Sequence, residues 1–509
     1  MTIPDSGTND PAPTARARIG AIDAATLALA FVLLATTVIR LSIAADRPLW
    51  LDEVWTGMIV SQRSLTEFAR QCAYDINAPL YYVITGLWAR VAGVSNFALR
   101  FPAMAFGVLA PLVALTPRRM MGRTCRYAWS VLLACWIPGL LFALEARYYT
   151  LYLFLGVANA IAFCALLRSP TQARAWIWTG VSALLALSHY YGFILAGVQG
   201  LAYLAFRRGQ ALRTWPAALA FLPAFASLAV HAARLTLFAQ AGRSWIPLVG
   251  LSDIIPAVGF VVGALPTMLY LLVWAGVALY YHFKAAREGT LSDAAPVGRE
   301  LWITAGCAVL AMGLAVGLGM FKPMFIQRYL IGFTPGVMLG LALLAERFER
   351  SWARAPLFLV AAYFLLAVKL AFTPLHNVTP LNFEAASNAL MTQAPRRLAF
   401  MWDNPTQPEA SALRGVGGFF FDRAGHPVDV DPVRARSDQD PNAALLQQAS
   451  GPGTAILWIY DLNVEGTAAL RFPPRIAAID PRWRCRNFGK GPLGVIGCSR
   501  VNSGAAPGR

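Results

Sequence analysis

The stretch AIDAATLALAFVLLATTVIRLSIAA at residues 21–45 decides the fold, together with PLWLDE, which follows it at residues 48–53. An α-helix needs about 20 mostly apolar residues to cross a bilayer, and this run is long enough. It is too long for the apolar part of a secretory signal and lacks a convincing cleavage site, so it predicts an uncleaved first membrane span. Arg16 and Arg18 precede it and place the N-terminus on the cytoplasmic side.

The composition extends this prediction to most of the chain. Of the 509 residues, 57% are hydrophobic and 14% are charged, whereas about a quarter of a soluble protein is charged. Apolar runs recur as far as residue 372, and a polar segment rich in proline and aspartate follows. The predicted fold class is an all-α polytopic membrane domain followed by a small α/β or mixed extracytoplasmic domain. The predicted parts are a cytoplasmic tail at 1–20, a membrane domain at 21–375 whose first outer loop is 46–96, and a soluble domain at 376–509.

Eleven apolar runs are candidate spans. They lie near residues 22–45, 97–116, 127–144, 148–167, 174–190, 191–206, 214–232, 262–283, 301–320, 329–346 and 355–372. Arginines and lysines gather in alternate loops, and with a cytoplasmic N-terminus all of these clusters fall inside, as the positive-inside rule requires. The C-terminal domain then lies outside. Because the net charge of +17 is dispersed over short loops rather than gathered on one element, a nucleic-acid partner is excluded.

The stretch PLYYVITGLWARVAGV at residues 79–94 is apolar but does not fit this alternation. If it were a span, every later loop would be inverted and the arginine clusters would face outward. The stretch is short for a crossing, and its aromatic residues suit the membrane surface. We therefore expect an interfacial or re-entrant helix within the first outer loop.

Carboxylates stand at two points of that loop. Asp52 and Glu53 lie at the membrane boundary in an apolar setting, where a carboxylate is costly to desolvate and can serve as a general base. The pair fits a helix N-cap and first turn equally well. Asp75, close to Asn77, precedes a second helix start and is open to the same two interpretations. If the two carboxylates converge on one pocket, one acid acts as base and the other orients an acceptor.

Ionisable and aromatic residues recur at the later outer turns. Glu145, Arg147 and Tyr148 lie in one turn, and His189 and Tyr190 lie in the next. An ionisable group at this depth usually has a partner or a task, so an ion pair and a substrate contact are both open interpretations.

Cations follow at the outer ends of later spans, namely Arg243, Lys322 and Arg328, the last beside Tyr329. Such cations bind either lipid head groups or a substrate phosphate, which a guanidinium matches well in shape. Acids, a histidine and cations thus recur at successive outer turns, whereas the inner turns carry only dispersed positive charge. This asymmetry predicts one outward-facing polar cavity.

Two of the seven cysteines lie in the soluble segment. Cys485 and Cys498 flank the turn-like stretch RNFGKGPLG at 486–494, which favours a disulfide-closed hairpin in an oxidising compartment. Two free cysteines are the alternative. The other five lie in or near the membrane without metal-ligand spacing and are predicted to be small packing residues.

In this order the motifs resemble the GT-C superfamily of membrane glycosyltransferases, in particular its bacterial branch related to protein O-mannosyltransferases and lipid A aminoarabinose transferases. The resemblance covers about residues 20–375. It rests on LDE at 51–53, DINAPLYY at 75–82, GVSNFALRFP at 93–102, EARYYTLY at 145–152, SHYYG at 188–192 and QRYLIGFTP at 327–335. The sequence departs from both branches: Asn77-Ala78-Pro79 stands where the mannosyltransferases have His-Pro-Pro, and the lysine typical of the aminoarabinose transferases is missing there.

The resemblance implies an inverting glycosyltransferase that moves a sugar from a polyprenyl-phosphate donor to an acceptor hydroxyl on an envelope glycan, lipid or protein. It implies Asp52 as the catalytic base, and we expect the adjacent Glu53 to be catalytic as well. We expect donor or acceptor contacts from Asp75, Asn77, Glu145, Arg147, Tyr148, His189 and Tyr190, and phosphate contacts from Arg243, Lys322, Arg328 and Tyr329.

Further expectations concern cofactors and location. Arginines suffice to neutralise a monophosphate leaving group, so no cofactor is expected to be obligatory, with a divalent metal at Asp52, Asp75 and His189 as the alternative. The alanine- and arginine-rich composition suggests a bacterium. The expected location is therefore the inner membrane, among membrane lipids, with the active site and C-terminal domain on the periplasmic side. A transporter or flippase of a lipid-linked substrate is the rival interpretation, although the internal repeats and mid-bilayer ionisable groups typical of transporters were not found in the sequence.

Overall fold

The structure is a computed structural model. A helix-rich part comes first along the chain, and a part that contains a β-sheet follows it. The structure describes residues 23–44, 47–240, 246–290, 298–377, 382–404, 409–434, 438–463, 467–489 and 493–500. Among these described residues, sixteen α-helices make up the first part. They are α1 Ala24–Ala44, α2 Leu51–Val60, α3 Leu65–Tyr74, α4 Leu80–Ala92, α5 Asn96–Val113, α6 Arg123–Ala134, α7 Ile137–Phe142, α8 Tyr149–Arg168, α9 Gln172–Ser188, α10 Gly192–Arg213, α11 Leu222–Phe238, α12 Ile254–Val262, α13 Leu265–Arg287, α14 Arg299–Phe321, α15 Thr334–Glu349 and α16 Ala355–Asn377. Short 3₁₀ helices lie at Trp215–Phe221, Leu251–Asp253 and Gln327–Gly332.

Helices coincide with all the predicted apolar runs. In the described part of the chain, six helices are long and apolar enough to cross a membrane: Ala24–Leu41, Asn96–Val113, Tyr149–Arg168, Trp215–Leu237, Leu265–Arg287 and Arg299–Phe321. The run at 127–144 is divided between α6 and α7, and Pro138 in the first turn of α7 prevents a continuous helix. The predicted polytopic all-α membrane domain is confirmed, while the count of eleven spans stays a prediction.

The segment predicted as the first outer loop, residues 46–96, contains three short helices, α2, α3 and α4. α4 has 13 residues and rises about 20 Å, well short of the roughly 30 Å of a bilayer core. It ends at Gly93, whose φ of 74° is a left-handed conformation that glycine adopts without a Cβ penalty. Ser95 then caps α5, its side chain accepting a hydrogen bond from the Ala98 N–H. These two residues turn the chain from the surface into the next membrane helix.

Two helices show how the membrane domain is packed. In α8, 78% of the apolar stretch of the helix is buried, whereas in α1 the buried share is 22%. Helix α8 therefore lies at the centre of the bundle and α1 at its edge. A helix that is apolar on all sides belongs in such a central position. The N-terminal end of α8 carries the turn with Glu145, Arg147 and Tyr148, and it therefore brings these residues to the middle of one end of the bundle.

The second part is a small domain with a mixed sheet, as predicted. Its elements are α17 Phe383–Met391, β1 Arg397–Trp402, α18 Ala410–Arg423, β2 Asp429–Pro432, α19 Pro441–Gln448, β3 Thr454–Asp461, α20 Ala468–Arg471, α21 Ile476–Ile479, β4 Trp483–Asn487 and β5 Leu493–Arg500. The strand order is β2-β1-β3-β5-β4. Strands β2, β1 and β3 are parallel, and β5 runs antiparallel to both of its neighbours, β3 and β4. Central β3 is buried along nearly its whole length, as expected for a strand covered on both faces. Cys485 pairs with Cys498 across β4 and β5, and a disulfide joins them.

Candidate functional site

Glu53 anchors the first outer loop. Its side chain and that of Arg100, at the start of α5, are 1% and 2% exposed. Arg100 Nε donates to Oε1 and Nη2 donates to Oε2, both at 2.7 Å. The backbone N–H groups of Ala146 and Trp50 donate to the same carboxylate at 2.8 and 3.1 Å. A buried carboxylate with four donors is fully satisfied, so Glu53 fixes the start of α2 against α5 and against the turn before α8.

Asp52, the neighbouring acid, points elsewhere. Its side chain is 28% exposed and lies 3.9 Å from Nη2 of Arg147, whose side chain is only 7% exposed. Arg147 Nη1 also donates to the Asp52 carbonyl and to the Tyr82 hydroxyl, each at 3.3 Å. Tyr82 in turn donates to Asp75, which accepts from Asn77 Nδ2 at 2.9 Å as well. Asp52, Asp75 and Arg147 therefore belong to one connected polar cluster.

A third acid and a second arginine lie at the same end of the bundle as this cluster. Oε2 of Glu145 is buried and finds no hydrogen-bond partner in the described part of the chain. Burial, reinforced by the negative charge of Glu53, raises the pKa of Glu145 to about 8, although Arg328 opposes the shift. Arg328 lies over the ring of Tyr149, with its guanidinium carbon 5.7 Å from the ring centre. The charge of Asp52 acts on Arg328, so the two side chains share the same end of the bundle.

His189 is enclosed by aromatic rings. The rings of Tyr148, Tyr152, Tyr191 and Tyr329 lie 4.4 to 5.4 Å from it, centre to centre. The Tyr191 backbone N–H donates to His189 Nδ1 at 3.2 Å, so this nitrogen carries no proton and the ring is neutral with hydrogen on Nε2. Tyr148 and Tyr329 thereby link the histidine to the turns that carry Arg147 and Arg328.

Tyr190 turns away from this aromatic group. Its hydroxyl bonds with Ser227 Oγ at 2.8 Å and with His231 Nδ1 at 2.5 Å, both on α11. His231 is buried, and its Nε2 donates to the Cys72 carbonyl at 3.0 Å. His231 thus joins α11 both to Tyr190, in the turn before α10, and to α3. The hydroxyl of Tyr190 therefore takes part in packing the loop helices onto the bundle.

The remaining predicted residues differ in their placement. Lys322 is exposed at the C-terminal cap of α14, whereas Arg328 is half-buried beside the cluster. Arg243 lies outside the described residues. Among the residues that the structure describes, no group of three or more histidine, cysteine, aspartate or glutamate side chains is arranged to hold a metal ion.

Similarity to known proteins is found in structure and not in sequence. No protein-family model matches the chain. No curated protein matches it either. Among solved structures, ArnT from Cupriavidus metallidurans bound to undecaprenyl phosphate aligns with a TM-score of 0.58 at 13% identity, covering 95% of this chain and all of ArnT. The apo state of the same protein aligns with a TM-score of 0.58 at 14% identity, over 93% of this chain and 98% of ArnT.

The alignment extends over the helices and the C-terminal domain alike. The chain has the fold of ArnT. Its polar cluster lies at one end of the helical bundle, on the first-loop helices and the turns before α8, α10 and α15.

Two residues of this candidate site were missed in the sequence. Arg100 lies within the GVSNFALRFP motif but was given no role, although an arginine inside an apolar run is itself a signal of a buried partner. Tyr82 was quoted in a motif without a role because tyrosines near a membrane surface are usually belt residues. Nothing in the sequence indicated that its hydroxyl would join Asp75 to Arg147.

Proposed function

We propose that this protein is an inverting glycosyltransferase that transfers a sugar from a polyprenyl-phosphate donor to an acceptor hydroxyl. The observation that carries the proposal is the contrast between the two adjacent acids. Glu53 is buried and fully bonded, whereas Asp52 is partly exposed beside the buried guanidinium of Arg147. An accessible carboxylate beside an arginine suits a reaction that releases both a proton and a phosphate.

Asp52 acts as the general base in this mechanism. Its carboxylate takes the proton from the acceptor hydroxyl while that oxygen attacks the anomeric carbon of the donor. The new carbon–oxygen bond forms as the bond from the anomeric carbon to the phosphate oxygen breaks, and the electron pair leaves with the polyprenyl phosphate. A single displacement of this kind inverts the configuration at the anomeric carbon. Arg147 holds the first turn of α2 through the Asp52 carbonyl and so keeps the base in place.

Arg328 and Arg147 stabilise the charge that develops on the departing phosphate. Guanidinium groups already held in place by protein contacts need little reorganisation at the transition state, which is the main source of electrostatic catalysis. Arg328 is fixed over Tyr149, and Arg147 over Tyr148 at 5.6 Å. Lys322 is exposed and would contact the phosphate or the lipid head groups only at the rim. Asp75, Asn77, Glu145 and His189 remain candidates for sugar and acceptor contacts.

The fold and the sequence support the proposed donor class and location. The ArnT structure of similar fold is bound to undecaprenyl phosphate, which supports a polyprenyl-phosphate donor here. A prenyl chain would lie between the membrane helices with its phosphate at the level of Arg328. The arginine distribution supports a bacterial inner-membrane protein whose site and C-terminal domain face the periplasm. The acceptor is an envelope glycan, lipid or protein.

The test is release of undecaprenyl phosphate by the full chain in proteoliposomes that contain a panel of undecaprenyl-phosphate sugars. Turnover with one donor, accelerated by a cell-envelope extract and giving a product of inverted anomeric configuration, is the expected result. Retention of configuration would refute the single displacement. If no donor is consumed while a labelled donor crosses the bilayer, the protein is a flippase and the transferase proposal fails.

A further inference from the structure

The helix that carries Asp52 is shared between the two parts of the protein. Its N-terminal end is fixed to the membrane domain through Glu53 and Arg100. Its opposite end packs on α18, the helix of the C-terminal domain that follows β1. Trp55 of α2 also packs on Trp402 at the end of β1, with ring centres 5.6 Å apart.

Two glycines set how closely α2 and α18 approach. A Cβ atom added to Gly57 of α2 would lie 2.5 Å from the ring of Phe419 on α18. A Cβ atom added to Gly415 of α18 would lie 2.7 Å from Cγ of Met58 on α2. Separations below 3.0 Å force a neighbour to move, so neither helix tolerates a side chain at these positions without a shift.

Polar contacts hold the same interface at its edges. Asn96, at the start of α5, donates to Glu384 of α17 at 2.9 Å and accepts from Arg423 of α18 at 2.6 Å. Arg423 and Glu384 also form an ion pair with each other. The hydroxyl of Tyr74, at the end of α3, also accepts a hydrogen bond from the backbone N–H of Glu409. The C-terminal domain is therefore attached to α3 and α5 as well as to α2.

We propose that the C-terminal domain positions the general base by holding α2 through the Gly57–Phe419 and Met58–Gly415 contacts. This inference rests on the proposed function, and it deepens it by making the domain part of the catalytic apparatus. Gly415 is a positioning residue that acts through Met58, six residues along the same helix from Asp52. A displacement of about 1 Å at a reacting group can cost about a hundredfold in rate, so a forced shift of α2 has a measurable effect.

The test compares three glycines of the same helix. Gly415→Ala pushes on Met58 of α2, whereas Gly417→Ala pushes on Phe400 inside the C-terminal domain at 2.8 Å. Gly418→Ala meets its nearest neighbour at an ordinary 3.4 Å and is the matched control. Undecaprenyl phosphate release is measured for each in proteoliposomes, with kcat and donor KM determined separately and thermal unfolding followed in parallel.

We expect Gly415→Ala to lower kcat about tenfold or more with donor KM unchanged, and Gly418→Ala to behave like the unmodified protein. Adding Met58→Ala to Gly415→Ala makes room for the new methyl group and should restore kcat to the level of Met58→Ala alone. Full activity of Gly415→Ala overturns the inference. So does a loss of kcat that Gly417→Ala reproduces at an equal fall in thermal stability, since the effect would then be general destabilisation.

A second measurement does not depend on turnover. In an Asp52→Cys background, a water-soluble maleimide reports the exposure of this position, and the five free cysteines, Cys72, Cys125, Cys135, Cys164 and Cys307, are all buried. Gly415→Ala should change the labelling rate severalfold and Gly418→Ala should not, while equal rates overturn the inference. An inactive wild type with a changed labelling rate would refute the proposed function and leave the contact established.

Discussion

The pairing of Glu53 with Arg100 gives a prediction that separates a structural acid from a catalytic one. Both side chains are almost fully buried, and the carboxylate accepts two bonds of 2.7 Å from the guanidinium and two more from backbone N–H groups. We change the pair in three ways: Glu53→Gln, Arg100→Met and the two together. Each single change leaves the opposite group buried without its charged partner.

The expected magnitude follows from that burial. Removing one partner of a buried ion pair costs about 3–5 kcal/mol in the free energy of unfolding, since the remaining charge is uncompensated. The double variant removes both charges, so it should be no less stable than the poorer single variant. The coupling energy between the two sites should therefore be at least as large as the smaller single loss, about 3 kcal/mol, which is the upper end for residues in contact.

Equilibrium unfolding in detergent micelles, titrated with a denaturing detergent and followed by tryptophan fluorescence, measures these free energies. Undecaprenyl phosphate release by the same samples provides the comparison with activity. If Glu53→Gln unfolds like the unmodified protein yet loses turnover, the structural role is refuted and Glu53 is catalytic, as the sequence allowed.

Two further predictions concern other ionisable and covalent features. Burial is the main reason that the pKa of Glu145 is raised from 4.5 to about 8. Between pH 4.5 and about pH 8, the folded protein therefore keeps this proton, whereas the unfolded chain loses it. Wild-type stability should therefore fall by about 1.4 kcal/mol per pH unit across this window relative to Glu145→Gln, and parallel curves of thermal midpoint against pH would contradict this. The disulfide between Cys485 and Cys498 closes a sequence separation of 13, so replacing both by alanine should cost the C-terminal domain about 3 kcal/mol, seen as a lower unfolding midpoint in non-reducing buffer. An unchanged midpoint would show that the hairpin is held by its strand pairing alone.

Local patterns were enough to predict the helices. The span at residues 148–167 and the interfacial stretch at 79–94 correspond to α8 and α4 because length and apolar content decide whether a helix can cross a bilayer. The grouping of Asp52 with Asp75 and Arg147 could also be anticipated, since all three lie in outer turns of one bundle.

Partner choice could not be predicted. Glu53 and Asp52 are adjacent in sequence and equally acidic, yet helix geometry directs one to Arg100, 47 positions away, and the other to the open cluster. Tyr190 lies in the motif SHYYG, which suggested a substrate contact. The motif did not indicate that its hydroxyl would bond to His231 on a different helix. The approach of α18 to α2 depends on glycines in two separate domains, and neither glycine lies in a pattern that indicates the contact.

The central claim is that Asp52 is the base of a sugar transfer from a polyprenyl phosphate. The most direct measurement is kcat for undecaprenyl phosphate release by Asp52→Asn in proteoliposomes, beside Glu67→Gln, a control acid on α3 that pairs with Arg70. We predict that Asp52→Asn loses at least about a hundredfold in kcat while its unfolding midpoint is retained, and that Glu67→Gln keeps full activity. Equal turnover by Asp52→Asn and the unmodified protein would contradict the account.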